Sequence, residues 1–292
     1  MQLRGIIPPM TTPFDEKGEV DEEAFREEVR YLLAAGVHGL AVGGSTGEGH
    51  TLTLDEARRL TAIAVEEVKG QIPVVAGIIA DSTRAVIERG KAVQDLGVAA
   101  LQITPVHYLF PPNEEEMYRY YATIGDAVGL PILIYNVVPW AYASPALLTR
   151  IITEVEPVIG VKQSAGDMHA LAELLLRLEE RGLVFAAVDD LLYPCFALGS
   201  HGAIAAILTA VPQLSVALWK AVEEGKHTEA QALHRRLFQI WMALRGPNLP
   251  ARVKAAMELQ GQRAGWPRAP MQPASEEERT RIREALQASN LL

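Results

Sequence analysis

The stretch EPVIGVKQSAGD, residues 156–167, runs from apolar residues to a lysine and then turns abruptly polar. Val158 to Val161, with Gly160 inside it, is too short for a helix. It suits a strand buried on both faces. Residues 167–181 follow with apolar positions at helical spacing, and LVFAAV (183–188) reads as the next strand. A buried strand, a helix and a second buried strand make a parallel crossover unit.

The same unit repeats outward in both directions. Apolar runs stand at GIIPPM (5–10), HGLAVGG (38–44), VVAGII (74–79), ALQITP (100–105), PILIYN (131–136), 158–163, 183–188 and GAIAAI (202–207). Helical stretches follow at 21–35, 53–68, 81–96, 113–128, 144–154, 167–181, 190–198 and 212–224. Thr53 with Glu56 forms a capping-box pattern, and Ser144-Pro145 reads as an N-cap followed by a first-turn proline. An open doubly wound sheet is one solution for such a chain. Eight units within about 225 residues suit a closed (β/α)₈ TIM barrel better. No GxGxxG opens the first helix, so the usual dinucleotide signature is missing. Three further helical stretches, 227–244, 250–260 and 275–288, predict a C-terminal extension (226–292) packed on a barrel of residues 1–225.

Composition narrows the function classes. Of 292 residues, 49% are hydrophobic and 22% charged, as in ordinary soluble domains. The net charge of −9 argues against nucleic acid as a partner, because phosphate binding needs a basic face. No apolar run is long enough to predict a membrane span, and the N-terminal apolar stretch is too short for a secretory signal. A single cysteine, Cys195 in an apolar setting, rules out an intrachain disulfide and fits a reducing cytoplasm. The seven histidines show no HExxH spacing, which predicts no metal site. No GxSxG elbow points to a serine hydrolase.

In parallel barrels the chemistry sits at the C-terminal ends of the strands. Lys162 stands there, at the end of an apolar run that would exclude an unpaired charge. A lysine amine attacks carbonyls only when unprotonated, and burial of an amine favours that form. Such an amine condenses with a 2-oxo acid to give an imine, an electron sink for carbon–carbon cleavage, carbon–carbon formation or dehydration. Position alone would equally allow a surface lysine just past a strand. Tyr135 ends the neighbouring strand, within reach to relay protons, or else is an aromatic barrel residue with a satisfied hydroxyl. The GGSTGE loop (43–48) offers the hydroxyls of Ser45 and Thr46 and flexible backbone at Gly44, a combination suited to a carboxylate. It lacks the Gly-Lys-Ser/Thr ending of a nucleotide loop.

Several spaced motifs fall in the order of one family. They are PPMTTPFDEKGEVD (8–21), GGSTGEGHTLTLDE (43–56), ITP (103–105), ILIYN (132–136), VIGVKQSAGD (158–167) and LGSHGAIAAI (198–207). On these the chain resembles the dihydrodipicolinate synthase / N-acetylneuraminate lyase family of class I aldolases, over nearly its whole length. The resemblance implies a barrel with a helical extension, assembled as a homo-oligomer (tetramer or dimer). It implies that Lys162 forms the Schiff base, that Tyr135 relays protons, and that Ser45 and Thr46 hold the carboxylate. It also implies a small 2-oxo acid as substrate and no cofactor.

The chain departs from the family at the partner half of the site. After strand 5 the lysine-pathway synthases carry an arginine for the second substrate's carboxylate. Here YNVVPWAYAS (135–144) has none, and Trp140 occupies that neighbourhood. An indole cannot form the bidentate pair that arginine forms. The tyrosine pair after strand 4 is replaced by His107 and Tyr108, either of which is a candidate to complete the relay. After strand 8, Ile204 and its neighbours make the acceptor side apolar. The expected activity is a Schiff-base lyase on a 2-oxo acid, with pyruvate as donor or product. The alternatives are 4-hydroxy-tetrahydrodipicolinate synthase, a 2-keto-3-deoxy sugar-acid aldolase or dehydratase, and a non-catalytic 2-oxo-acid-binding protein.

Overall fold

The computed structural model describes residues 3–292. Eight strands form one all-parallel sheet: β1 (Gly5–Ile6), β2 (Leu40–Val42), β3 (Val74–Ile78), β4 (Ala100–Ile103), β5 (Ile132–Asn136), β6 (Val158–Gln163), β7 (Leu183–Ala186) and β8 (Gly202–Ala203). Their order is β1-β8-β7-β6-β5-β4-β3-β2. The sheet closes between its ends, where Pro9 bridges Ala41, His38 N–H donates to Ile6 O (2.8 Å) and Met10 N–H to Ala41 O (2.8 Å). The sheet is therefore a (β/α)₈ barrel.

Both faces of each strand are covered, which is why the apolar runs are continuous rather than alternating. Ile7, Ala41, Val75, Leu133, Phe185 and Ile204 fill the barrel interior. A second, larger apolar cluster packs the outside of the sheet against the helices. The barrel helices are α1 (Glu22–Ala34), α2 (Leu54–Val68), α3 (Thr83–Val93), α4 (Glu114–Val128), α5 (Pro145–Glu154), α6 (Met168–Leu178), α7 (Leu192–Ala197), α8 (Ile207–Ala210) and α9 (Pro212–Glu223). The Thr53–Glu56 capping box is formed, and Ser144 Oγ caps α5 by accepting from Leu147 N–H.

Two end strands are shorter than their apolar runs. β1 stops at Ile6 because Pro8 and Pro9 have no N–H to give to a ladder. β8 stops at Ala203, and Ile207 starts the short helix α8 instead. The tail forms α10 (His227–Leu244), α11 (Leu249–Leu259) and α12 (Glu276–Ala288). α10 packs on α9, α11 on α8, and α12 on both α10 and α11. Among the described residues, no helix is long and apolar enough to cross a membrane.

One buried carboxyl on α1 gives the fold a pH dependence. Glu28 accepts from Thr11 N–H (2.8 Å) and Thr11 Oγ1 (2.6 Å). Burial pushes its pKa up to about 7, against the pull of these bonds and of the Lys254 charge. Between the ordinary value of 4.5 and about 7 the folded chain keeps a proton that the unfolded chain releases. Stability therefore falls as pH rises through that window, by about 3 kcal/mol in all, and levels off above it. Glu28→Gln should remove this contribution. In denaturant titrations, the variant should gain on the native protein by roughly that amount between pH 4.5 and 7.5. Parallel curves would show that Glu28 does not titrate there.

Candidate active site

The loop after β2 is folded by its own backbone. Gly43 takes a left-handed φ of 74°, and Gly44 O accepts from both Gly47 N–H (3.1 Å) and Gly49 N–H (3.0 Å). A Cβ on Gly77 of β3 would lie 2.8 Å from the Gly43 carbonyl, so glycine there lets the loop lie across the neighbouring strand. Thr12 Oγ1 adds a bond to Gly47 O (2.6 Å). The turn presents Ser45 and Thr46 towards the barrel mouth, while Gly44 is spent on holding the turn.

β5 and β6 are in register with Tyr135 opposite Lys162 and Asn136 opposite Gln163. Asn136 Nδ2 donates to Gln163 Oε1 (2.9 Å) and to Ala143 O (3.2 Å), and its Oδ1 accepts from Ala143 N–H (2.9 Å). This buried amide network fixes the two strand ends relative to each other. Lys162 is 4% exposed, and its Nζ lies 3.8 Å from the centroid of the Tyr135 ring. The Tyr135 hydroxyl donates to Ser45 Oγ at 3.2 Å. Amine, phenol and hydroxyl thus form a continuous line from β6 through β5 to the β2 loop.

These groups open on one cavity of about 290 Å³ at the C-terminal ends of the strands. Ser45, Thr46, Tyr135 and Lys162 line it. The rest of the lining is largely apolar, with Val137, Ala187, Ile204, Leu249 and Pro250 among it. Asp189, 8% exposed, is the one carboxyl in the lining. Burial raises its pKa to about 6, against the Ile207 N–H that it accepts (2.7 Å) and the charge of Lys162. A carboxyl tuned near neutrality can hold or release a proton at working pH.

The sequence-based candidates divide into two places. Ser45, Thr46, Tyr135, Lys162 and Ile204 meet at this cavity. His107, Tyr108 and Trp140 do not line it. They form a separate open cleft of about 510 Å³ with Leu109 and Pro111. Asp81 Oδ1 anchors that segment by accepting from His107 N–H (2.8 Å) and Tyr108 N–H (3.0 Å). Trp140 Nε1 donates to His107 O (2.7 Å). Within one chain, therefore, Trp140 and the His107–Tyr108 pair line a different surface from the one that Lys162 opens on. Asp189, Leu249 and Pro250 are lining residues that sequence reasoning did not single out. The Asp189-Asp190 pair at a strand end was a usable signal for the first. Nothing local marks the other two, which come from the start of α11. Among the described residues no three His, Cys, Asp or Glu side chains gather to hold a metal ion.

Comparison with known proteins gives these groups a context. The model of the dihydrodipicolinate synthetase family matches residues 2–289. A 4-hydroxy-tetrahydrodipicolinate synthase of Methanopyrus kandleri is 34% identical over 294 aligned positions, covering 100% of this chain and 98% of the relative. The crystal structure of dihydrodipicolinate synthase from Thermotoga maritima superposes with a TM-score of 0.95 at 30% identity, each chain covered fully. YagE, a prophage protein of Escherichia coli K12 from the same family, solved in complex with pyruvate, superposes with a TM-score of 0.94 at 28% identity, again over both whole chains. Likeness that runs from one end of the chain to the other, in sequence and in backbone alike, means that this chain belongs to the dihydrodipicolinate synthetase family, as a lyase of the class I aldolase type that works through a lysine imine and uses no external cofactor.

Proposed function

We propose that Lys162 condenses with pyruvate and that the resulting imine is used to make or break a carbon–carbon bond. The observation that carries this reading is the line from Lys162 Nζ across the Tyr135 ring to Ser45 Oγ, open to one cavity. The amine adds to the C2 carbonyl of pyruvate, and loss of water from the carbinolamine leaves the protonated imine. Tyr135 carries protons between the reacting oxygen and Ser45 in this step. Ser45 and Thr46 hold the carboxylate by their hydroxyls, and this orients C2 towards the amine. Loss of a proton from C3 then gives an enamine, whose C3 bonds to an aldehyde carbon. Hydrolysis of the new imine frees the product and restores Lys162. Cleavage is the same path in reverse.

Among finer readings, the relatives' name supports 4-hydroxy-tetrahydrodipicolinate synthase. A product with that seven-carbon skeleton, made from pyruvate, requires a four-carbon amino acid aldehyde, aspartate 4-semialdehyde, as acceptor. One observation favours a second reading, an uncharged aldehyde acceptor. Lys162 is the only lysine or arginine in the cavity lining. Arg150, the first arginine after β5, is engaged elsewhere, with Glu115 (3.0 Å) and over the Tyr118 ring. A buried acceptor carboxylate would have no cation to pair with.

Steady-state turnover with pyruvate and a panel of aldehydes distinguishes these readings. The apolar lining predicts that kcat/KM for neutral aldehydes exceeds that for aspartate 4-semialdehyde by at least about tenfold, the weight of one unpaired charge. The reverse order would establish the synthase reading. No turnover of any 2-oxo acid in either direction would defeat the mechanism as a whole.

A homo-oligomer belongs to the same proposal. Tyr108 (71% exposed), Leu109, Phe110 and Trp140 (64% exposed) form an apolar patch beside the barrel mouth, of the kind a second copy would cover. Cytoplasmic location is proposed from the single, buried cysteine.

A further inference from the structure

Helix α11 meets the active site at its start and braces the loop beside it one turn on. Its first residues, Leu249 and Pro250, line the cavity. One turn on, Lys254 points inward and is 2% exposed. Its three N–H groups have three partners: Glu48 Oε1 at 2.7 Å, Thr12 O at 2.6 Å and Trp266 O at 2.6 Å. Glu48 is itself 3% exposed, and its other oxygen accepts from Arg268 N–H at 2.9 Å.

Glu48 is also the last residue of the Ser45–Glu48 turn. It takes a left-handed φ of 54°, and its N–H donates to Ser45 O (3.1 Å). A non-glycine residue holds that conformation only where its surroundings impose it. The imposing contacts here come from α11 and from the segment after it. Thr12 joins the two ends of the arrangement, because its carbonyl accepts from Lys254 while its hydroxyl donates to Gly47 O.

We propose that Lys254 and Glu48 form a positioning strut that fixes the Ser45 and Thr46 hydroxyls for the substrate carboxylate, which makes the C-terminal extension part of the substrate-binding machinery. This rests on the reading of Ser45 and Thr46 as carboxylate donors. Neither Lys254 nor Glu48 lines the cavity, so both act through the turn. A turn released from the strut leaves Lys162 and Tyr135 in place on their strands. The loss should therefore fall mainly on recognition of the carboxylate, with only a slower approach to full imine formation where the proton path runs through Ser45.

The test compares the native protein with Lys254→Met/Glu48→Gln, which removes both charges together and leaves no lone buried ion. Borohydride trapping measures the concentration dependence of imine formation with pyruvate and with methyl pyruvate, whose ester lacks the carboxylate charge. The preference for pyruvate over methyl pyruvate should fall by about 10- to 100-fold, the weight of a hydrogen bond to a charged group. Maximal labelling at saturating ketone should stay within about threefold of the native level. If the double variant does not fold, Glu48→Asp carries the same expectation, since it keeps both charges buried together while the shorter side chain draws the carboxylate back from Lys254 Nζ. A folded variant with unchanged preference overturns the strut. Thr46→Val separates the two failures. If it lowers the preference while the strut variants do not, the carboxylate reading stands and the strut is wrong. If Thr46→Val and Ser45→Ala both leave the preference unchanged, the carboxylate reading itself is wrong and the strut falls with it.

Discussion

Replacing Lys162 with alanine is expected to lower pyruvate-dependent turnover by about 10⁴- to 10⁶-fold, the scale on which covalent enzymes lose activity with their nucleophile. The fold should survive. Lys162 ends β6, its Nζ faces the Tyr135 ring without a salt bridge, and the buried Asp189 that feels its charge can take up a proton instead of remaining a stranded ion. Stability should then change by no more than about 1–2 kcal/mol in denaturant titrations. A Lys162→Ala protein that is folded and retains a tenth of the native rate would show that the imine, if one forms, lies elsewhere.

Tyr135→Phe should cost about 10²- to 10⁴-fold in kcat, the range typical of a positioned acid–base group. The change keeps the ring that packs against Lys162 and removes only the hydroxyl that donates to Ser45 Oγ. Binding of pyruvate should be little affected, because Ser45 and Thr46 remain. Imine trapping should become slower without becoming weaker at saturation. If kcat stays within a few-fold of native, the proton path runs through another group. Asp189 is then the nearest candidate, with its carboxyl raised to about 6 inside the same cavity. Single-turnover trapping at several pH values separates the two.

Much of this arrangement could be read before any coordinates. The alternation of buried runs and amphipathic stretches specified the barrel, because a strand covered on both faces has to be continuously apolar. Lys162 and Tyr135 were legible as a pair because adjacent parallel strands place their C-terminal ends side by side. What escaped depended on contacts between distant residues. Asp81 accepts two backbone N–H groups from the segment at 107–108, a tie that no property of that segment announces. Leu249 and Pro250 line the cavity because α11 begins there, whereas the tail reads simply as amphipathic helix. Lys254 and Glu48 are separated by 206 residues, and each alone looks like a solvent-facing charge. β1 and β8 were overextended because an apolar run does not reveal where a ladder loses its N–H donors or gives way to a helical turn.

The apolar acceptor half also makes sense in this light. Val137 follows β5, Ile204 follows β8, and Leu249 and Pro250 open α11. Changes there should redirect the choice of aldehyde without touching imine formation, because none of these four side chains is bonded to the amine, the phenol or the Ser45 hydroxyl.

The most direct measurement is peptide mass mapping after incubation with pyruvate and borohydride, with Lys162→Ala as control. The account predicts one reduced pyruvate adduct, on Lys162, absent from the variant. An adduct on another lysine, or none with pyruvate and a panel of larger 2-oxo acids, would contradict it.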